Sequence, residues 1–344
     1  MAYTTIDNPE LYFQTKIYTG DGNDNRAITF DGSENMQPNL TWFKSRSHAT
    51  WHNVYDSVRG ANKSLATNAN NAEETRSDTM DSFDSNGFTL GNDTSQSPNG
   101  LNTNASGYTY VCWAWKESAT AGFDIVSYTG DGGTQNVSHS LSAVPHFFIA
   151  KNRDSADAWV CYHQNLTSGA SLLLNTTDAQ LTVSSRDYFN STAPTSSVFT
   201  VKRDGSAYND INESGEANIA YLFSEKQGFS KFGSYTGNGN ADGTFIYLGF
   251  RCSYFMVKRT DTTNNWVIYD NKRSPINNVH AQMYADLSAA EGSAGSTVGL
   301  DFLSGGLKMR GSGNSYNASG GTYIYMAFAE APFVNSKGVP CNAK

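Results

Sequence analysis

Asp21-Gly22-Asn23-Asp24 is a dense run of oxygen ligands, and a hard cation such as Ca²⁺ wants several of these on one loop. Two later stretches read Asp131-Gly132-Gly133-Thr134 and Asn238-Gly239-Asn240-Ala241-Asp242, so the oxygen supply is not kept. β-Turns account for all three, because Asp, Asn and Gly are what such turns require. His48 and His52 stand four apart around Trp51 without a third ligand nearby, and are expected as solvated or packed side chains. Trp51, Trp159 and Trp266 could stack on sugar rings. Their recurrence beside a hairpin is explained equally well by three repeated cores, and core is the reading taken, with any sugar contacts sought in loops that differ. Carboxylates are numerous, but no pair recurs and none stands in an apolar run that would raise its pKa for acid work. No Gly-x-Ser-x-Gly elbow, phosphate loop or His-Glu-x-x-His occurs. The expectation is no catalytic residue, no cofactor and no metal.

The elements that hold these residues are written three times. Tyr18-Thr19-Gly20-Asp21-Gly22, Tyr128-Thr129-Gly130-Asp131-Gly132 and Tyr235-Thr236-Gly237-Asn238-Gly239 open the copies, their tyrosines 110 and 107 residues apart. That spacing is too long for a solenoid unit and suits one small domain each. An apolar run ending in Lys44, Lys151 or Lys258 follows, bulky on both faces, as in a strand covered on both sides. A short polar turn then leads to a second strand near Trp51, Trp159 or Trp266. The middles, 57–79, 164–185 and 271–294, vary most and read equally as further strands or a short helix. A second signature, Asn104-Ala105-Ser106-Gly107, Asn212-Glu213-Ser214-Gly215 and Asn317-Ala318-Ser319-Gly320, precedes each last strand. Its Asn lies 11 residues before the closing aromatic, Trp115, Phe223 or Phe328. A constant gap fixes register, since a slip of one residue would turn the strand's core side outward.

Runs this short, rich in Tyr, Val, Ile and Phe and without a sustained helical period, predict an all-β chain of three tandem β-sandwiches. The expected division is an arm over 1–14, modules over 15–118, 119–226 and 227–332, and a tail over 333–344. The arm could be a strand on the first module or a peptide that docks on a neighbour. Linkers of a few residues predict a semi-rigid string or a compact cluster.

Charged residues make up only 16% of the 344 and aromatics 13%, so the expected surface is neutral and covered with hydroxyl and amide groups. A net charge of -8 with pI ≈ 5.2 argues against nucleic acid as partner. The absence of an 18-residue apolar run argues against membrane insertion. The first residues carry no visible secretory signal. Cys112, Cys161, Cys252 and Cys341 fall at non-equivalent places, which predicts free thiols and synthesis in a reducing cytoplasm.

Phe123-Asp124-Ile125-Val126-Ser127-Tyr128-Thr129-Gly130-Asp131-Gly132, with Val137-Ser138-His139-Ser140-Leu141, Pro145 and Lys151-Asn152-Arg153, resembles a repeat of structural proteins in tailed bacteriophages, particularly marine ones. Met1-Ala2-Tyr3-Thr4-Thr5-Ile6-Asp7 and Tyr55-Asp56-Ser57-Val58-Arg59-Gly60 resemble the opening module of the same group. The third copy departs by carrying Gly243-Thr244-Phe245-Ile246-Tyr247-Leu248-Gly249 in place of the Ser-His-Ser-Leu stretch, and the first lacks the Asn-Arg-Asp turn. The resemblance implies concanavalin-A-like or jelly-roll sandwiches in a virion, as tail fibre, spike or capsid decoration. The implied partners are other virion proteins, further copies of the chain (a homotrimer by analogy) and a host-surface glycan or protein. A soluble, lectin-like carbohydrate-binding array is the alternative reading, and a polysaccharide hydrolase a third.

Overall fold

The computed structural model describes residues 2–94, 102–203, 205, 210–293 and 299–341. Met1 of the expected arm, Ala294 of the third variable middle and residues 342–344 of the tail lie outside them.

Each copy builds one large antiparallel sheet with the same strand order. The opening strand (Phe13–Thr19, Phe123–Thr129, Ser230–Thr236) pairs with the closing strand (Thr109–Trp115, Ala217–Phe223, Thr322–Pro332). The closing strand also pairs with the lysine-bearing strand (Leu40–Ser45, Phe147–Asn152, Phe250–Arg259), which pairs with Asn53–Asp56, Val160–His163 or Trp266–Asp270. The variable middles add Lys63–Ala66, Leu172–Leu173 and Ala281–Tyr284 as strands, not a helix. Smaller sheets carry Arg26–Thr29 beside Gly87–Leu90, Thr134–Ser138 beside Val198–Lys202, and Phe245–Tyr247 beside Gly306–Met309.

The chain is therefore all-β, in β-sandwiches. One face of each large sheet meets the small sheet over its own core. Phe43 packs with Phe88 and Tyr55 in the first copy, Phe148 with Phe199 in the second, and Phe255 with Tyr325 in the third.

The opposite faces of all three large sheets converge on a fourth core, which holds five of the six tryptophans: Trp42, Trp113, Trp115, Trp159 and Trp266. This is why the lysine-bearing strands are apolar on both sides. At its centre the closing aromatics touch one another, Trp115–Phe223 at 6.3 Å, Trp115–Phe328 at 5.8 Å and Phe223–Phe328 at 6.0 Å, all near edge-to-face. The residues singled out by their constant distance from an asparagine thus mark an approximate threefold axis, and of the two expected arrangements the compact cluster is found.

The arm lies on the third copy rather than beside the first alone. Ile6 is buried in the shared core, the Tyr3 hydroxyl donates to the Gly249 carbonyl at 2.6 Å, and Asp7 accepts from Ser336 N–H and Oγ–H at 2.6 Å each. Both ends of the described chain therefore meet where the first and third copies abut. The opening strand begins at Phe13, inside the segment expected as arm.

Candidate functional site

The two repeated signatures meet in space. In each copy the Tyr-Thr-Gly tyrosine donates its hydroxyl to the carbonyl just before the signature asparagine: Tyr18 to Thr103 (2.6 Å), Tyr128 to Ile211 (2.7 Å) and Tyr235 to Tyr316 (2.5 Å). Asn104, Asn212 and Asn317 are fully buried and accept the N–H of Asp21, Asp131 and Asn238, each at 3.1 Å. Their amide groups donate back into the same turn, to Asn23 O, Gly133 O and Asn240 O. A Cβ on Gly20, Gly130 or Gly237 would stand 2.2–2.4 Å from a backbone oxygen of the partner loop, so only glycine fits. The Asp-Gly turns are a latch between loops some eighty residues apart. Among the described residues no group of three or more His, Cys, Asp or Glu is placed to hold a metal.

Trp159 and Trp266 are buried, and each reaches across to the preceding copy: Trp159 Nε1 donates to Ala66 O (2.8 Å) and Trp266 Nε1 to Leu173 O (3.0 Å). Pairing of Asn53 with Ala66, Val160 with Leu173 and Val267 with Tyr284 shows that their counterpart in the first copy is His52, not Trp51. His52 is fully buried and its Nδ1 accepts from Trp42 Nε1 at 2.8 Å, which leaves the proton on Nε2, beside the Tyr284 backbone. Burial holds its pKa well below the usual histidine range, with Lys44 adding to the effect. Trp51 is only half-buried, and His48 stacks on Tyr108 at 3.5 Å.

The seams between copies carry ionisable groups that sequence spacing does not bring together. Between the second and first copies, Tyr221 donates to Asp56, which also binds the buried Arg59; Arg59 and Arg153 both bind Glu73, at 3.1 and 2.9 Å. Between the first and third, Trp113 Nε1 donates to Asp270 at 2.9 Å, Asp270 binds Arg273, and Arg273 and Arg46 share Glu291. Burial pushes the Glu73 and Glu291 carboxyls up, but hydrogen bonds and charge from the two arginines outweigh it and hold both below the usual range. At the third seam the charge cluster is replaced: His163, Leu166 and Gln180 stand where the other two have Asp, Arg and Glu, and His163 Nε2 pairs with Tyr325 O at 3.2 Å.

Lys44, Lys151 and Lys258 are fully buried, and burial drives their pKa values down to about 7, 7 and 8. Each Nζ has two carbonyl acceptors: Ser45 and His48, Asn152 and Ser155, Arg259 and Thr177.

A carboxyl pair not legible in the sequence is Glu117 with Asp124, at the junction of the first two copies. Burial and the hydrogen bond that its protonated form donates to Asp124 lift Glu117 to about 7. Both are pinned to backbone, Glu117 Oε1 by Ile125 N–H and Asp124 Oδ2 by Ser140 N–H. Glu225 accepts the equivalent N–H, that of Phe232, so the recurring glutamate two residues past the closing aromatic ties one copy to the start of the next. Cys112, Cys161 and Cys252 are buried free thiols and Cys341 is an exposed one.

Outward-facing features concentrate on the third copy. A cleft of about 240 Å³ lies between Gln14, Arg251, Lys272 and Glu330, and a hollow of about 510 Å³ adjoins it at Pro275, Ile276 and Phe302. The charges there pair off, Arg251 with Glu330 at 2.9 Å and Lys272 with Asp31 at 3.3 Å. On the outer strand, Phe245 and Tyr247 are 50% and 57% exposed.

Residues 8–332, all three copies together, match the family described as a domain of unknown function, DUF7483. The chain belongs to that family. The match runs through the shared core and the seams, so the DUF7483 unit spans all three sheets and not a single copy. No curated protein matches the chain.

Proposed function

We propose that this chain is a structural protein of a bacteriophage particle, a surface appendage such as a tail fibre, spike or capsid decoration, whose outer loops meet the host surface. The observation that supports this most is the shared core. Three sandwiches back onto one apolar centre, and the arm and tail join where the first and third copies abut, so the chain is built as a stiff body rather than as a hinged cleft. Two of the seams carry buried charge clusters, Asp56–Arg59–Glu73 and Asp270–Arg273–Glu291, which hold the copies against one another. The resemblance of the Tyr-Thr-Gly repeats to phage structural repeats points the same way.

The role needs no catalytic residue and no cofactor. Contacts to other virion proteins and to further copies of the chain would use the outer faces, because the apolar sheets that a symmetric trimer would bury between subunits are already buried here within one chain. Mass spectrometry of purified particles, with copy number counted against the major capsid protein, tests the reading; absence from the particle defeats it. A soluble lectin-like array is the second reading, favoured by the exposed Phe245–Tyr247 pair, and it predicts glycan binding by a protein that no particle contains.

A further inference from the structure

We propose that the outer strand Phe245–Tyr247 of the third copy is a carbohydrate-binding platform, on which pyranose rings of a hydroxyl-rich glycan stack. Ile246 pairs with Leu307 as Ile28 pairs with Phe88 and Val137 with Phe199, so the three outer strands are in register. At the two outward positions the first copy has Ala27 and Thr29 and the second has Asn136 and Ser138, all exposed. Only the third puts aromatic rings there, 50% and 57% exposed. The fold does not require them, since small residues serve the same positions twice.

Residues two apart on a strand project to the same side with about 7 Å between them, the scale of one sugar ring. The surroundings hold the rings in place and leave them half-exposed. Tyr247 stands opposite Gly306, which has no side chain to cover it, and the Lys231 ammonium lies over one face of the ring, 5.4 Å from its centroid. Tyr247 and Phe333, itself 39% exposed, flank Gly305, each 3.8 Å from where a Cβ would be. Phe245 stands opposite Lys308, which pairs with Asp242. Aromatic rings with ammonium and carboxylate groups beside them suit a sugar with C–H faces and equatorial hydroxyls.

Area decides against a protein partner. Three half-exposed aromatic side chains offer roughly 100 Å² each, whereas a stable protein interface takes about 800 Å² from each side. Two sugar rings fill what is offered.

This assignment rests on the surface-attachment reading, and its test is kept separate from that reading. The full-length chain is probed against immobilised cello-, xylo- and galacto-oligosaccharides and purified bacterial lipopolysaccharide, beside the double variant F245A/Y247T, which installs the first copy's own residues, and K231A. The expected result is calcium-independent binding by the wild type, weakened at least about tenfold in the double variant and less in K231A, with an unchanged unfolding midpoint. Absence of binding to every probe, or equal binding by the double variant, overturns the platform. Loss of attachment to a particle protein rather than to glycan in F245A/Y247T also overturns it, in favour of a protein-docking face. Absence of the chain from purified particles would sink the virion reading while leaving glycan binding intact.

Discussion

Tyr221 donates its phenolic hydrogen to Asp56 Oδ2 at 2.7 Å, across 165 residues of sequence, and so ties the second copy to the first inside a seam closed to water. Tyr221→Phe removes one hydrogen bond to a buried charge and is expected to cost about 2 kcal/mol. Asp56→Ala also strands the Arg59 guanidinium and should cost about 3–5 kcal/mol. Urea unfolding of the two variants and of their combination measures both; equal, sub-kilocalorie losses would show that the seam contributes nothing.

The asparagine latch gives the second prediction. Asn317 donates to Asn238 Oδ1, Asn240 O and Gly311 O while accepting from Asn238 N–H. Asn317→Ala leaves several of these groups buried and unmatched, for an expected loss of about 2–4 kcal/mol. The corresponding changes at Asn104 and Asn212 should fall in the same range, read from the same unfolding curves.

Stability should rise with pH above neutrality. Burial lowers the folded-state pKa of Lys44, Lys151 and Lys258 to about 7, 7 and 8, below the unfolded value of 10.5. Between these limits the unfolded chain binds more protons, so unfolding free energy increases with pH; below about 7 both states are charged and the effect is flat. Asp93, raised by burial to about 7, acts at lower pH with the opposite sign: stability falls from its unfolded value of 3.8 up to about 7, and above that the cost is constant. A urea midpoint that climbs from pH 7 to pH 9, and climbs less in K151M, is the expected outcome.

Thiol accessibility gives a fourth. Native protein should take up one equivalent of a thiol reagent, at Cys341, and four after denaturation, since burial shields Cys112, Cys161 and Cys252 and also raises their pKa values.

Residues 119–226 expressed alone should not remain monomeric. That fragment would expose Phe147, Trp159, Tyr221 and Phe223, which the other two copies cover in the intact chain. Analytical ultracentrifugation is expected to show association or aggregation; a stable monomer would mean that the shared core is dispensable.

Much of the architecture was legible beforehand because it is local. Alternation, turn residues and a constant gap of eleven are properties of neighbouring positions, and they put the closing strands at 108–115, 217–223 and 322–328, within a residue of the starts at Thr109, Ala217 and Thr322. Double-sided apolarity of the lysine-bearing strands predicted a layer on each face. The second layer proved to be the other two copies. Strand pairing sets the counterpart of Trp159 and Trp266 one position from Trp51, at His52, which residue type alone does not reveal.

The sequence alone determined an all-β chain written in one recurring pattern, with a turn at each Asp-Gly or Asn-Gly pair. Tertiary structure decided which asparagine holds which turn, which tyrosine or tryptophan meets which aspartate, and that Glu117 and Asp124 lie side by side. The physical reason is that a period of two records which face of a strand is apolar but not what will cover it. Here each sheet is covered by sheets from the other two copies, so the partners of its buried charges are known only once the chain has folded back around its axis.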